Sequence, residues 1–183
     1  ALGESNVREG WRANKRGGGI LLDVESGEVV ARGLSMPHSP RLYRGRLWVL
    51  ESGRGALSTV DPVSGRVEAV AQVPGFTRGL DFVGPIAFIG LSQLRSSNPF
   101  TDIPLTDQNP DRSSGVWAVN VETGQTVAFL RFSASVEEIF AVQALPGILS
   151  PLILEEHDPI LDSTWAIPDE LLPQVELAHP GAA

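Results

Sequence analysis

Residues 34–53 read LSMPHSPRLYRGRLWVLESG, and this stretch alternates between apolar and polar positions on both sides of Arg44-Gly45. Alternation with a period of two is typical of half-buried β-strands, and a tight turn at the break would join two of them into a hairpin. A crowded HSPR corner at residues 38–41 introduces the hairpin. We expect the hairpin to belong to a repeating sheet and the corner to lie where the repeats present side chains to a common axis.

Three short turn signatures recur along the chain: DVESG at residues 23–27, DPVSG at 61–65 and NVETG at 120–124. In each one, the Asp or Asn side chain can hydrogen-bond the turn backbone and the final glycine can adopt a positive φ. The turn glycines are 38 and then 59 residues apart. The polar, Pro-rich residues 93–114 account for the longer interval, because shortening that loop restores a period of about 40 residues.

A period of about 40–50 residues with four strands per repeat is characteristic of β-propeller blades. The predicted class is therefore all-β, with propeller-like four-stranded antiparallel blades, of which about two and a half to three are present. Predicted innermost strands lie at residues 40–43, 77–83 and 136–145, and Trp48 and Trp117 are expected in the blade core. Because a closed propeller needs roughly 4–8 blades, further chain or a second copy would complete it.

The predicted organisation assigns residues 1–147 to the blades and 148–183 to an irregular C-terminal tail that packs on them. A net charge of −8 and a pI near 4.8 argue against nucleic-acid binding, which needs a basic surface. The absence of cysteine excludes disulfides and thiol catalysis. No apolar run reaches the roughly 18 residues of a membrane span, and no signal pattern opens the chain, so a cytoplasmic protein is expected.

Polar residues occupy equivalent positions in the three predicted innermost strands: His38, Arg78 and Glu138, which are 40 and 60 residues apart. Equivalent positions of neighbouring blades approach one another near the axis. There Arg78 can bind a carboxylate or phosphate, Glu138 can act as an acceptor or base, and His38 can transfer a proton. The alternative is structural, with Arg78 and Glu138 paired across the channel and His38 bonded to a backbone carbonyl.

The end of the blades that carries these residues is also expected to collect the long loops at residues 6–18 and 93–114. Arg12 belongs to the one local basic cluster, which is either an anion site or a solvated run of charge. Glu51 ends a strand on the same side and is expected at the rim. The predicted ligand-binding residues are His38, Arg41, Arg78, Glu138, Arg12 and Glu51; no catalytic residue and no metal ligand is assigned.

Several motifs resemble an uncharacterised family of bacterial hypothetical proteins with propeller-like repeats. They are SMPHSPR at residues 35–41, GRLWVLESG at 45–53, PGFTRGL at 74–80 and GVW at 115–117. The resemblance extends from residue 1 to about residue 147 and implies that family members are roughly twice as long as this chain, which looks like their C-terminal half. It implies a fold but no reaction, and the chain departs from the family pattern in the loop at 93–114.

Two functions remain open. The first is a ligand-binding or protein-interaction propeller without catalysis, whose partner is a small polar or anionic molecule, a protein, or a second copy joined through open sheet edges. The second is a metal-dependent propeller hydrolase or lactonase that holds a divalent cation such as calcium in its channel. Glu138 and Asp81 are the nearest candidate ligands for that cation, and calcium normally takes about 6–8 oxygen ligands. No HExxH motif, EF-hand loop or GxSxG elbow supports an enzyme class.

Overall fold

A computed structural model describes residues 1–93, 102–108, 113–155, 157–163 and 170 of the chain. The chain separates into two units, Ala1–Pro146 and Gly147–Ala183. Within the described residues, every strand belongs to the first unit, and no helix has the length and apolar character needed to cross a membrane.

In the described part of the chain, the strands form three antiparallel sheets of two, four and four strands, and none closes into a barrel. The predicted all-β class is therefore confirmed. The first sheet contains β1 (Gly19–Leu22) and β2 (Val29–Leu34). The second contains β3 (Pro37–Tyr43), β4 (Arg46–Glu51), β5 (Ala56–Val60) and β6 (Val67–Gln72). The third contains β7 (Phe76–Val83), β8 (Ile86–Ser92), β9 (Ser114–Asn120) and β10 (Thr126–Phe132).

The hairpin predicted from residues 34–53 is β3 and β4. Its turn is Arg44-Gly45, where φ is +49° and +69°. Positive φ at both central residues gives the turn type whose twist matches that of the flanking strands. Consequently Tyr43 pairs directly with Arg46, and the pairing continues in register as far as Arg41 and Trp48.

The three recurring turns share one geometry. In each, a side-chain oxygen of the first residue accepts a hydrogen bond from a backbone amide two or three residues later, and the final glycine has φ near +70°. The side-chain bonds run from Ser26 to Asp23, from Val63 to Asp61 and from Glu122 to Asn120, each at 2.8 Å. The glycines are Gly27 at +72°, Gly65 at +70° and Gly124 at +72°. The sequence signature therefore fixes the conformation of all three turns.

The sheets of the first unit stack face to face, and apolar side chains fill the two spaces between them. The first and second sheets enclose Leu21, Ala31, Leu34, Val49 and Val60. The second and third enclose a larger cluster of Trp48, Leu50, Leu57, Ala71, Val73, Leu80, Ala87, Ile89, Leu91, Trp117 and Val119. Both tryptophans are core residues, as predicted.

Residues 136–145, predicted as a third innermost strand, form no strand in the structure, and this prediction is wrong. The segment is nevertheless held against the third sheet. The Ser92 hydroxyl accepts a hydrogen bond from Ile139 N at 2.9 Å, and Asp81 Oδ2 accepts one from Ala144 N at 2.7 Å. Among the described residues no neighbouring strand offers the segment a ladder, so side chains of the third sheet satisfy part of its backbone instead.

The second unit carries little regular structure in its described part. A short 3-10 helix occupies Pro159–Ser163, and residues 147–155 form neither helix nor strand. The packing of this tail on the sheets stays a prediction.

Candidate functional site

The two ends of the stacked sheets differ in what they carry. One end carries the three glycine turns. At the other end, the starts of β3 and β7 meet two long loops in a buried cluster that contains Met36, Phe76, Ile103 and Leu105, with Leu2 and Trp11 packed against it. The loops at residues 6–18 and 102–108 therefore cover the same end of the sheets.

Two sets of polar contacts fix these loops in place. The Arg16 guanidinium pairs with Asp102 at 2.9 Å and also with Asp107, which joins the two loops to each other. The backbone amide of Leu105 donates to the carbonyl of Gly53 at 2.8 Å, which joins the second loop to the end of β4. Sequence reasoning treated this loop as irregular throughout and missed the short helix Pro104–Gln108.

His38 lies in β3 at a break in its pairing with β4, between His38 and Arg41. The imidazole is half-buried, and its ring meets the Phe76 ring edge-on with centroids 6.1 Å apart. Burial, and then the positive charge of Arg78, lower the pKa of His38 from 6.5 to about 4. At neutral pH this side chain is therefore an uncharged donor and acceptor rather than a cation.

Arg78 lies at the corresponding break of the third sheet, between Thr77 and Leu80 of β7. The Ser39 hydroxyl accepts a hydrogen bond from the Gly79 amide at 3.1 Å, so the irregular part of β3 is tied to that of β7. This link explains why His38 experiences the charge of Arg78.

The Arg78 guanidinium is half-buried and stacks 4.3 Å above the centroid of the Phe140 ring. Among the described residues, no carboxylate lies within 4.0 Å of it. The pairing of Arg78 with Glu138 that the structural alternative required is therefore not present. We call the group formed by His38, Phe76, Arg78 and Phe140 the Arg78 cluster.

Glu138 is half-buried and lies on the segment that supplies Phe140. Alignment of the repeats selected His38, Arg78 and Glu138 but missed the aromatic rings of Phe76 and Phe140. The signal was present, because Phe76 precedes Arg78 by two residues and Phe140 follows Glu138 by two. Residues two apart in an extended segment share a face.

Glu51 is buried, and the structure gives it a structural role rather than a place at the rim. Its carboxylate accepts hydrogen bonds from the Ser35 amide at 3.1 Å, from the Ser58 hydroxyl at 3.1 Å and from Arg54 Nε at 2.9 Å. These bonds join the connection before β3 to strands β4 and β5. The oxygens of Glu51 are therefore already used to hold the second sheet together.

The two remaining candidates are exposed. Arg12 lies 5.0 Å from the centroid of the Trp11 ring and forms an ion pair with Glu9 at 3.0 Å. Arg41 donates to the carbonyl of Pro40 at 3.1 Å. Neither residue has a recorded contact with a member of the Arg78 cluster.

The candidate metal ligand Asp81 has both oxygens occupied by protein donors. Oδ1 accepts from the Phe82 amide at 2.9 Å, and Oδ2 accepts from Gln143 Nε2 at 2.8 Å and from the Ala144 amide at 2.7 Å. In the part of the chain that the structure describes, no group of three or more His, Asp or Glu side chains is arranged to hold a metal ion. Asp81 instead anchors the segment that carries Phe140.

A cavity of about 220 Å³ lies apart from the Arg78 cluster, between the N-terminal loop and the first sheet. Its lining includes Trp11, Asn14, Ile20 and Arg32. Arg32 pairs with Glu4 at 3.1 Å, so its charge is already neutralised by the protein.

A family model described as a domain of unknown function, DUF4915, matches residues 1–154 of the chain. The chain belongs to the DUF4915 family. The DUF4915 match includes all strands of the first unit and the segment at residues 136–145. No curated protein matches the sequence.

Among solved structures, the DUF4915 chain is similar to the computationally designed Ika8 protein, with 13% sequence identity and a TM-score of 0.42. The match covers 65% of this chain and 31% of the designed one. The chain therefore spans about a third of the length of that structure.

Proposed function

We propose that this DUF4915 chain is a non-catalytic ligand-binding module that holds a small carboxylate or phosphate at the guanidinium of Arg78. The observation that supports this is a half-buried cation with an aromatic ring beneath it and no described carboxylate within ion-pair distance. A half-buried positive charge without a counter-ion among the described residues loses part of its hydration, and an anionic ligand would offset that cost. Arginine presents a planar fork that suits carboxylates and phosphates.

The proposal includes the arrangement of the sheets. We infer that the three stacked sheets are consecutive blades of a propeller, with β3, β7 and residues 136–145 nearest to its axis. Three aspects of the packing support this: sheets that stack in chain order, glycine turns at one end and long loops at the other. On this view the Arg78 cluster lies at the loop end of the axis.

The state of His38 favours binding over catalysis. With a pKa of about 4, this imidazole is a weak base at neutral pH and accepts a proton poorly from a substrate. It can instead donate or accept one hydrogen bond to a ligand that is held by Arg78.

Thermal melting with inorganic phosphate, acetate and citrate as probes tests the proposal. We expect at least one anion to raise the melting temperature of the wild-type chain, since a ligand present at a hundredfold excess over Kd stabilises the folded state by about 2.7 kcal/mol. Arg78→Gln should abolish this shift while it retains the circular dichroism and the ligand-free melting temperature of the wild type.

The matched control is Arg46→Gln, which removes an exposed arginine from β4. This variant should keep the full anion-dependent shift. A shift that persists in Arg78→Gln, or the absence of a shift with all three anions, would contradict the proposed function.

A further inference from the structure

Two contacts between successive sheets of the first unit follow the same pattern. In the second sheet, a Cβ at Gly65 would lie 2.6 Å from the carbonyl oxygen of Val30 in the first sheet. In the third sheet, a Cβ at Gly124 would lie 2.3 Å from the carbonyl oxygen of Val70 in the second. The glycine turn of each following sheet is thus pressed against the outer strand of the preceding one.

In the first sheet, no described residue lies against the same turn. Gly27 has the same positive φ, yet no atom of the described residues lies within 4 Å of the Cβ position. The residue immediately before each turn is likewise covered in the second and third sheets but exposed in the first. Val60 and Val119 are 3% and 0% exposed because a preceding sheet covers them, whereas the equivalent Leu22 of the first sheet is 41% exposed.

The described residues also leave the complementary surface of the third sheet uncovered. Counted from the turn glycine, Val127 corresponds to Val30. Leu130 pairs with Val116 on the face that points away from the second sheet, whereas Phe129 pairs with Trp117 on the face toward it. Val127 and Leu130 are 56% and 57% exposed. The chain therefore presents both halves of a contact that it makes twice within itself.

The first sheet is also two strands shorter than the other sheets. The first sheet has two strands, beside which Ile20 N donates to the carbonyl of Ala1 at 3.0 Å, whereas the other sheets have four. Residues 136–145 belong to no strand ladder in the described structure. They lie against the third sheet much as β7 lies against the second: Ser52 donates to the carbonyl of Thr77, and Ser92 to that of Ile139.

We propose that a second copy of this chain covers both open surfaces. The third sheet of each copy packs on the first sheet of the other, and residues 136–145 of one copy add to the first sheet of its partner as an innermost strand. Such a contact joins two different surfaces and closes into a ring only when the rotations add to a full turn. Two copies of three sheets each would give a six-bladed ring, within the known range of about 4–8 blades.

This inference rests on the blade arrangement proposed above but not on the anion site. The two-copy ring and the anion site can therefore fail separately. Light scattering on the 183-residue chain should give twice its mass of 19.6 kDa. Leu130→Glu and, independently, Leu22→Glu should each reduce the dimer to a monomer while the circular dichroism is unchanged. The control Val63→Glu alters an apolar turn residue that is 95% exposed and should remain dimeric.

A mixing experiment tests the pairing of two different surfaces. Leu130→Glu retains an intact first sheet and Leu22→Glu an intact third sheet, so an equimolar mixture should regain dimers through the one undamaged contact. If the wild type is a monomer at every concentration, if either variant stays dimeric, or if the mixture stays monomeric, the proposal is overturned. A larger assembly that both variants abolish would overturn the two-copy ring.

Discussion

The imidazole of His38 is half-buried, and it lies close enough to Arg78 to be affected by the arginine charge. Both effects oppose protonation, the burial more strongly. Phe76 at its edge excludes water from one side of the ring. A residue that sequence reasoning proposed for proton transfer is thereby converted into a neutral hydrogen-bonding group.

The lowered pKa predicts a pH dependence of stability with a definite sign. Between pH 6.5 and about 4 the unfolded chain binds a proton at His38 that the folded chain does not, so the free energy of unfolding falls as the pH is lowered. The stabilisation is complete above pH 6.5, and at most about 3 kcal/mol is lost by pH 4. Urea unfolding at several pH values measures it.

Comparison of the wild type with His38→Asn separates the contribution of His38 to the pH dependence of stability from that of the carboxylates. Asp23 and Asp61 have pKa values lowered by hydrogen bonds from their turn backbones, so their contributions are lost only at still lower pH. The variant should show a flatter dependence between pH 6.5 and 4. If both proteins lose stability equally in this window, or if the His38 resonances titrate near pH 6.5, the burial assigned to His38 is wrong.

At the scale of single elements, the glycine turns allow a comparison that isolates sheet packing. Gly27 and Gly124 share φ = +72°, but a Cβ would meet open space at the first and the Val70 carbonyl at the second. Gly27→Ala should therefore cost only the roughly 1–2 kcal/mol of an alanine in the left-handed region. Gly124→Ala should destabilise by about 1–3 kcal/mol more, because the third sheet must move away from the second.

Both alanine variants are best compared by urea unfolding in the Leu130→Glu background, where the proposed contact between copies is removed. Equal destabilisation would mean that the turn of the third sheet does not press on the second. That result would also remove the packing pattern on which the two-copy ring depends.

A feature of the fold could be predicted from the sequence when the residues that determine it are close together in the chain. Hairpin β3–β4 and the three turns follow from alternation and from glycines at positions that need positive φ, so they could be read directly. Residues 136–145 have the pattern of a strand, but a strand also needs a partner, and pairing is a tertiary property. Glu51 was misplaced for a related reason, since three donors from separate elements converge on it only after folding.

The candidate site also contains features that the sequence could predict and features that depend on tertiary contacts. Alignment of the repeats was enough to select His38 and Arg78, and the structure links their strands through the bond between Ser39 and Gly79. It could not show that Arg78 stacks on Phe140, because that contact depends on how Asp81 and Ser92 hold a distant segment.

At the scale of the whole molecule, the first unit contains the complete set of described sheets, both inter-sheet cores and the Arg78 cluster. A chain that ends at residue 146 should therefore fold cooperatively and bind the same anion as the 183-residue protein. Its melting temperature should lie within about 4 °C of that of the full chain, which corresponds to about 1 kcal/mol. A larger drop would mean that residues 147–183 stabilise the sheets, as the predicted tail packing requires, whereas loss of anion binding with unchanged melting would place part of the site in the tail.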